Sequence, residues 1–154
     1  MSDIELAKQN LPGHSICLCK NGELITDDGR GISPMIKFIA ENRDLNGYSA
    51  ADIIVGKAAA MLFVKAGIVR VYAMTMSRPA AEFLHAHGIE YSYGTLTENI
   101  INRQGTDVCP MEKTVEHISD PDQAYPALKL RLEELKTKKP SPVGEGGSEK
   151  GFPA

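Results

Sequence analysis

A lysine stands within a stretch of mostly small and apolar residues, residues 52–67. Gly56 marks a turn in this run, and Lys57 follows it at the start of an alanine-rich helix. A helix N-terminus is partially positive, and apolar surroundings also disfavour an ammonium group. Lys57 is therefore a candidate proton acceptor, nucleophile or anion anchor, with Gly56 beside it. The alternative is a lysine whose amine reaches solvent or pairs with a carboxylate.

The segment from Cys109 to Glu112 has the layout of another helix start. Cys109 takes the cap position, Pro110 the first helical position and Glu112 the third. Cysteine is a poor cap, and the helix dipole favours a thiolate there. Cys109 is thus a candidate nucleophile or redox thiol, and Glu112 a candidate acid or base. The alternative is a buried structural thiol beside a capping glutamate.

Three further polar residues are candidates for ligand binding. Ser77 ends a strand and precedes a helix, where open α/β sheets bind ligands, although a plain helix cap explains it as well. Asn102 and Arg103 offer an amide and a guanidinium in a glycine-containing loop, which suits an anionic or amide-bearing ligand. The alternative places Arg103 at the negative end of a helix dipole.

Composition limits the possible functions. The chain has 154 residues, 42% of them hydrophobic, which predicts one domain with one core. A net charge of −3 provides no basic face for nucleic acid, and no apolar run approaches the roughly 18 residues of a membrane span. The N-terminus lacks a signal peptide pattern, and three cysteines favour reduced thiols. We expect a cytoplasmic protein that binds neither nucleic acid nor membrane.

Cysteine spacing gives little support for a metal site. Cys17 and Cys19 are two positions apart in a predicted strand, so their side chains share one face. The third cysteine is far away in sequence and no paired histidines lie nearby, which does not favour a metal or redox pair. We predict no metal and no cofactor.

The elements that position these residues follow from local signals. Asn21-Gly22 joins residues 15–20 to 23–26 as an antiparallel hairpin. The run from Asp52 to Gly67 predicts a buried helix. Residues 68–76 predict a strand, 77–88 a helix and 89–93 another strand, connected by right-handed crossovers. The predicted fold class is three-layer α/β/α, with a mixed sheet that starts with the hairpin and has helices on both faces.

Other helices are predicted from capping patterns. Ser33-Pro34 starts a helix with Ser33 as its cap, and Thr95 to Glu98 reads as a capping box. The predicted helices are residues 2–10, 33–42, 97–102, 110–118 and 122–136. Residues 138–154 are rich in proline, glycine, serine and charge, which predicts a disordered tail after a single domain at 1–137.

An ordered set of short motifs resembles a small prokaryotic family, the domain of unknown function 1893. The set consists of residues 55–60, Ser77 before a helix, Asn102-Arg103-x-Gly105, and Cys109-Pro110-x-Glu112. The resemblance runs from about Ser15 to Leu135 and implies a cytidine-deaminase-like fold: a central mixed sheet with helices packed on both sides. It implies no established activity.

The zinc motifs of true deaminases are missing from the corresponding helix starts. Those enzymes place His-x-Glu or Cys-x-Glu on one helix and Pro-Cys-x-x-Cys on the next. Here the corresponding segments, residues 57–60 and 78–82, contain no histidine or cysteine. We therefore predict that the chain is not a zinc-dependent deaminase.

Three functions remain open. The leading hypothesis is a zinc-independent domain that binds a small molecule of the nucleotide or nucleobase kind. One pocket would then be lined by Lys57, Cys109 and Glu112 together with the ligand-binding residues Gly56, Ser77, Asn102 and Arg103. The second hypothesis is a metal-independent enzyme that uses Cys109 with Lys57 or Glu112. The third is a structural or partner-binding protein with a vestigial site. Self-association is expected to be possible in each case.

Overall fold

The computed structural model of the protein describes residues 1–102 and 104–137. Its five strands are β1 (Ile16–Lys20), β2 (Glu23–Asp27), β3 (Ser49–Val55), β4 (Arg70–Ser77) and β5 (Glu90–Thr97). Its six helices are α1 (Asp3–Gln9), α2 (Ser33–Ala40), α3 (Lys57–Ala66), α4 (Arg78–Ala86), α5 (Pro110–Thr114) and α6 (Pro121–Thr137). The predicted tail, residues 138–154, lies outside the described residues.

The five strands form one mixed sheet in the order β2-β1-β3-β4-β5. β1 is antiparallel to both of its neighbours, whereas β3, β4 and β5 run parallel. The predicted hairpin is confirmed, and both turn residues, Asn21 and Gly22, have the positive φ that a two-residue turn needs. The predicted mixed α/β sheet is confirmed with it.

The prediction of one helix from Asp52 to Gly67 is wrong in its first part. Residues 49–55 form β3, which lies between β1 and β4 at the centre of the sheet, and α3 begins only at Lys57. A central strand is covered on both faces, so its apolar side chains do not alternate with polar ones. Periodicity alone cannot separate such a strand from a buried helix.

Helices cover both faces of the sheet, but unequally. The larger core cluster combines one face with α2, α3, α4, α5 and α6, and it contains the fully buried Phe38, Phe63 and Leu84. The smaller cluster lies under α1, where Ala7 and Leu11 pack against Cys17, Cys19 and Ala51. The three-layer prediction is confirmed, with one layer made of α1.

Two predicted caps differ from the structure. Thr95 and Thr97 belong to β5, which continues where the capping box was expected, and residues 98–102 contain no helix. β-branched residues suit a strand beside β4, so pairing with that strand prevails over the local cap signal. Ser33 is the first residue of α2 rather than its cap, and its hydroxyl donates to the Arg30 carbonyl.

No helix in the described part of the chain is both long enough and apolar enough to cross a membrane.

Candidate functional site

A cavity of about 430 Å³ lies beside the carboxyl end of β3. The loop before α2, residues 100–102 and the start of α5 close it on the other sides. Its apolar wall consists of Ile32, Ile53, Ile54, Ala59, Ile100, Ile101, Pro110, Met111 and Leu132. Its polar side chains are Ser15, Asp28, Arg30, Asp52, Asn102, Cys109 and Glu112. The chain thus forms an apolar pocket with a few convergent polar groups, a frequent arrangement for small-molecule sites.

Glu112 lies in this wall and binds the N-terminus of α3. Its carboxylate accepts hydrogen bonds from the backbone N–H of Lys57 at 2.8 Å and of Ala58 at 3.0 Å. Burial raises the pKa of Glu112, while these two donors pull the pKa back down. The helix dipole also favours a negative charge at this place. Glu112 therefore acts as a cap for a helix more than 50 residues earlier in the chain.

Gly56 makes room for that carboxylate. Its φ of −99° is open to any residue, so backbone conformation does not require glycine here. A Cβ at this position would lie 2.5–2.7 Å from the carboxylate atoms of Glu112. The close approach of the Glu112 carboxylate to the backbone thus explains the glycine at position 56. Both residues line the cavity.

The Lys57 side chain points to the end of α5. Its Nζ donates to the carbonyl of Val115 at 3.0 Å and to that of Glu116 at 3.4 Å. These carbonyls follow the last turn of a short helix, and the Val115 carbonyl also accepts from the backbone N–H of Ile118 at 3.0 Å. Lys57 is not among the residues that line the cavity, so the structure does not place its amine in the same pocket as Cys109.

Cys109 does line the cavity, together with Glu112 three positions later in the chain. It takes the cap position of α5, but its side chain makes no capping hydrogen bond within the usual distance. Burial raises the pKa of the Cys109 thiol, and the backbone N–H groups of Met111 and Glu112 pull in the opposite direction. The pKa of Cys109 is therefore raised overall, whereas activation of a thiol at a helix start requires a lowered pKa.

Asp52 is the buried member of the polar lining residues that our sequence interpretation missed; the others are Ser15, Asp28 and Arg30. It belongs to β3, where its register partners are Ile16 on β1 and Ala73 on β4, and only 7% of it is exposed. Its Oδ1 accepts from its neighbour Ile53 at 2.7 Å. Burial raises the pKa of Asp52 to about 8, although hydrogen bonds from Ile53 and Ile54 oppose the shift. The overlooked signal was an acid inside an apolar strand.

The remaining predicted residues fall in different places. Ser77 is fully buried, its hydroxyl accepts from Ala80 at 3.2 Å as a plain cap of α4, and it does not line the cavity. Asn102 does line the cavity, and its amide pairs twice with Thr106 across a small loop. Arg103 lies outside the described residues.

Charged groups at the mouth of the cavity are partly paired. Asp28 is exposed and forms an ion pair with His14, with 2.6 Å between Oδ1 and Nδ1. Arg30 is also exposed, on the same loop. The buried Asp52 and the partly buried Glu112 are therefore less exposed than the charged groups at the rim.

Cys17 and Cys19 lie elsewhere, both buried beneath α1. Their shared face is confirmed by their common place in that cluster. Across residues 1–102 and 104–137, no three or more His, Cys, Asp and Glu side chains are grouped so that they could hold a metal ion.

A comparison with known protein families identifies the family of this chain. The model of the family described as "Domain of unknown function (DUF1893)" matches residues 5–132, which is most of the sequence. The chain belongs to the DUF1893 family. The resemblance drawn from the motifs at residues 55–60, 77, 102–105 and 109–112 is thereby confirmed. No curated protein matches this DUF1893 domain.

Solved structures show the same relationship. The DUF1893 family protein TM1506 from Thermotoga maritima, solved at 2.70 Å, superposes with a TM-score of 0.67 and 24% identity, over 79% of this chain and 80% of that chain. This similarity shows that the two proteins share a fold.

Two deaminase structures align with this DUF1893 domain less well. One is a diaminohydroxyphosphoribosylaminopyrimidine deaminase/5-amino-6-(5-phosphoribosylamino)uracil reductase from Thermotoga maritima, with a TM-score of 0.38, 21% identity, 60% of this chain covered and 34% of that one. The other is the dCMP deaminase of cyanophage S-TIM5, with a TM-score of 0.40, 16% identity, and 58% and 90% covered. At these TM-scores neither alignment contributes to an argument about activity.

Proposed function

We propose that this DUF1893 domain binds a small planar molecule, of the nucleobase or nucleotide kind, in the cavity beside β3, without a zinc ion. The observation that supports this most directly is the cavity itself. About 430 Å³ of space is lined mainly by isoleucine, methionine, leucine and alanine, and four of its seven polar side chains converge on it from β3, residues 100–102 and the start of α5. Those side chains are Asp52, Asn102, Cys109 and Glu112.

Size and composition both suit such a ligand. Pockets for small molecules usually fall between about 300 and 1,000 Å³ and are mostly apolar, with a few polar groups that fix orientation. Flat rings can pack on the Ile54 and Met111 side chains, while carboxyl and amide groups offer hydrogen bonds to ring nitrogens and exocyclic groups. The wall has one described cysteine and no described histidine, so the proposal requires no metal.

A binding screen tests the proposal. Nucleobases, nucleosides and nucleotides are added one at a time, thermal unfolding is followed, and isothermal titration calorimetry is then applied to those that raise Tm. Binding to the folded state alone must raise stability by an amount set by ligand concentration and Kd. At least one member of the panel should raise Tm in a concentration-dependent way.

Two tryptophan variants locate the binding. Ile54 lines the cavity and is 50% exposed, so Ile54→Trp can fill the pocket with little damage to the core. Met74, on the neighbouring strand β4, is 49% exposed and does not line the cavity, which makes Met74→Trp the matched control. Ile54→Trp should abolish binding and Met74→Trp should preserve it. Equal effects, or no stabilisation by any compound, would favour the structural or partner-binding alternative.

A second candidate function has one observation in its favour. Cys109 and Glu112, the proposed nucleophile and proton carrier of a metal-independent enzyme, line the same cavity. Against it, burial raises the pKa of Cys109, and Glu112 already holds two backbone donors. The Lys57 amine binds carbonyls of residues 115 and 116 instead of entering the cavity. Binding is therefore the function that the geometry supports best.

A further inference from the structure

The Asp52 carboxyl group lies in the cavity wall and has no partner of opposite charge among the described side chains. It is 7% exposed, and no Lys, Arg or His among the described residues forms an ion pair with it. A buried carboxyl group without a cationic partner costs stability whichever protonation state it adopts. Apolar residues would fill this position in β3 at lower cost, so the acid needs an explanation beyond the fold.

The hydrogen bonds made by Asp52 leave part of its capacity unused. The described donors to it are the backbone N–H groups of Ile53 and Ile54, both from its own strand. An ionised carboxylate offers about four acceptor sites, so these two bonds leave roughly two for a group inside the cavity. Two free acceptor sites on one planar carboxylate fit two parallel N–H donors.

We propose that Asp52 is the recognition residue for a ligand with an amidinium-type group, a planar and positively charged N–C–N unit with N–H donors on both nitrogens. The inference rests on the proposed function, because it assigns a ligand class to the same cavity. Apolar walls would hold the body of the ligand, and the paired N–H groups would bind the two carboxylate oxygens. Asp52 then gains a cationic partner that none of the described residues provides.

The other charged groups around the cavity are compatible with a cation. Glu112 adds a second acid to the wall but is engaged by the N-terminus of α3. Asp28 and Arg30 lie at the exposed rim with opposite charges, and Asp28 is paired with His14. Cys109 holds its proton near neutral pH, since burial raises its pKa. The net charge that the described lining residues present to a ligand is therefore negative once Asp52 ionises.

Binding must then release a proton below about pH 8. In the free protein the pKa of Asp52 is about 8, so its carboxyl is mostly protonated at pH 6.5. An amidinium ion brings its own charge, and the ion pair forms only when the carboxyl proton leaves to the buffer. The association constant should rise by up to about tenfold per pH unit below pH 8 and level off above it.

The test uses benzamidine and its neutral analogue benzamide, which have similar shape, with the full-length protein and isothermal titration calorimetry. Benzamidine should bind at least about tenfold more tightly than benzamide at pH 8. Repeating the titration at pH 6.5 in buffers of different ionisation enthalpy counts the protons released, and close to one is expected. Asp52→Asn should remove the preference for benzamidine and the proton release, while benzamide binding changes by less than about threefold.

Each outcome bears on a distinct claim. Ile54→Trp should abolish binding of both probes, which ties them to this cavity, and Met74→Trp should not. If both probes bind with equal affinity, or if Asp52→Asn retains the preference, the assignment of Asp52 is wrong while the cavity still binds small molecules. If neither probe binds at millimolar concentration, the amidinium class is overturned, and the nucleobase screen decides the proposed function separately.

Discussion

Lys57 and Glu112 each bind the end of the helix on which the other lies. The Glu112 carboxylate accepts from the first backbone N–H groups of α3, and the Lys57 amine donates to the carbonyls that follow α5. Acid at a helix N-terminus and base at a helix C-terminus are the favourable placements for the helix dipole. This exchange fixes α5, and with it Cys109, against the start of α3.

Removing the Glu112 cap should destabilise the protein. Glu112→Ala leaves two N–H groups at the start of α3 without their acceptor in a largely buried place, at a cost of about 1–3 kcal/mol in the free energy of unfolding. Urea denaturation measures this. Glu98→Ala, which removes an exposed ion pair with Arg78, is the control and should cost less than about 1 kcal/mol. Equal losses would contradict the capping role.

Gly56→Ala should act through Glu112. The added methyl group would meet the carboxylate at 2.5–2.7 Å and displace it from the helix start, so we expect a loss of about 1–2 kcal/mol. A double-mutant cycle checks the cause. In a Glu112→Ala background the same substitution should cost little, because the clash has gone. Additive losses in the double variant would mean that Gly56 is needed for another reason.

Lys57→Met should loosen the end of α5. The variant keeps most of the apolar stem but removes the donor to the Val115 and Glu116 carbonyls, at a cost of about 0.5–1.5 kcal/mol. Hydrogen exchange followed by mass spectrometry should show faster exchange around residues 111–118. Lys65→Met on the same helix removes a surface pair with Asp122 and should leave that segment unchanged. Unchanged exchange in Lys57→Met would refute the link.

Asp52 should make stability depend on pH. The pKa of Asp52 rises from 3.8 in its ordinary state to about 8 in the fold, so the folded protein keeps a proton that the unfolded chain loses. This contribution to stability is complete below about pH 4 and is lost as pH rises to about 8. The raised pKa of Glu112 acts in the same direction, starting from its ordinary 4.5.

Asp52→Asn removes the larger of these two effects. The variant should be roughly 2–4 kcal/mol more stable than the native protein at pH 8, with a flatter profile between pH 4 and 8. Unfolding free energies from urea titrations at each pH provide the check. Glu82→Gln, at an exposed position on α4, should leave the profile unchanged. A native profile that rises towards pH 8 would show that Asp52 is not a buried acid of raised pKa.

Cys109 should react slowly with iodoacetamide at neutral pH. Its raised pKa leaves little thiolate, and the rate should increase as pH rises above the ordinary value of 9.0 for a thiol. Cys17 and Cys19 are buried, so they should react more slowly still. Peptide mass spectrometry assigns each rate. Fast labelling of Cys109 at pH 7, compared with the same cysteine in the urea-unfolded chain, would favour the enzyme hypothesis over binding.

Local signals were enough for much of the fold. Asn21-Gly22 fixed the hairpin, since few other dipeptides accept two consecutive residues of positive φ. The strand at 68–76 and the helix after Ser77 also followed from short-range patterns, and Ser77 proved to be a cap. The motifs that identified the family were likewise recognisable from the linear sequence. These features depend on neighbours within a few positions along the chain.

Features that depend on burial and on distant partners could not be predicted this way. β3 was taken as helix because a strand covered on both faces has no alternation to reveal it. We expected Lys57 and Cys109 to line one pocket. Testing this requires knowing where the long Lys57 side chain points, and its hydrogen bonds to the Val115 and Glu116 carbonyls set that direction. Glu112 was predicted to be an acid or base or a cap of its own helix, and the structure instead shows it capping α3 from 55 positions away.

The sequence by itself determined the hairpin, the family and four of the residues that line the cavity, Gly56, Asn102, Cys109 and Glu112, because residue type and spacing encode turns and caps. The tertiary structure alone decided that Asp52 is a buried acid facing that cavity. A carboxyl group takes its character from the dielectric and the partners around it, and these exist only after β1, β3 and β4 have come together.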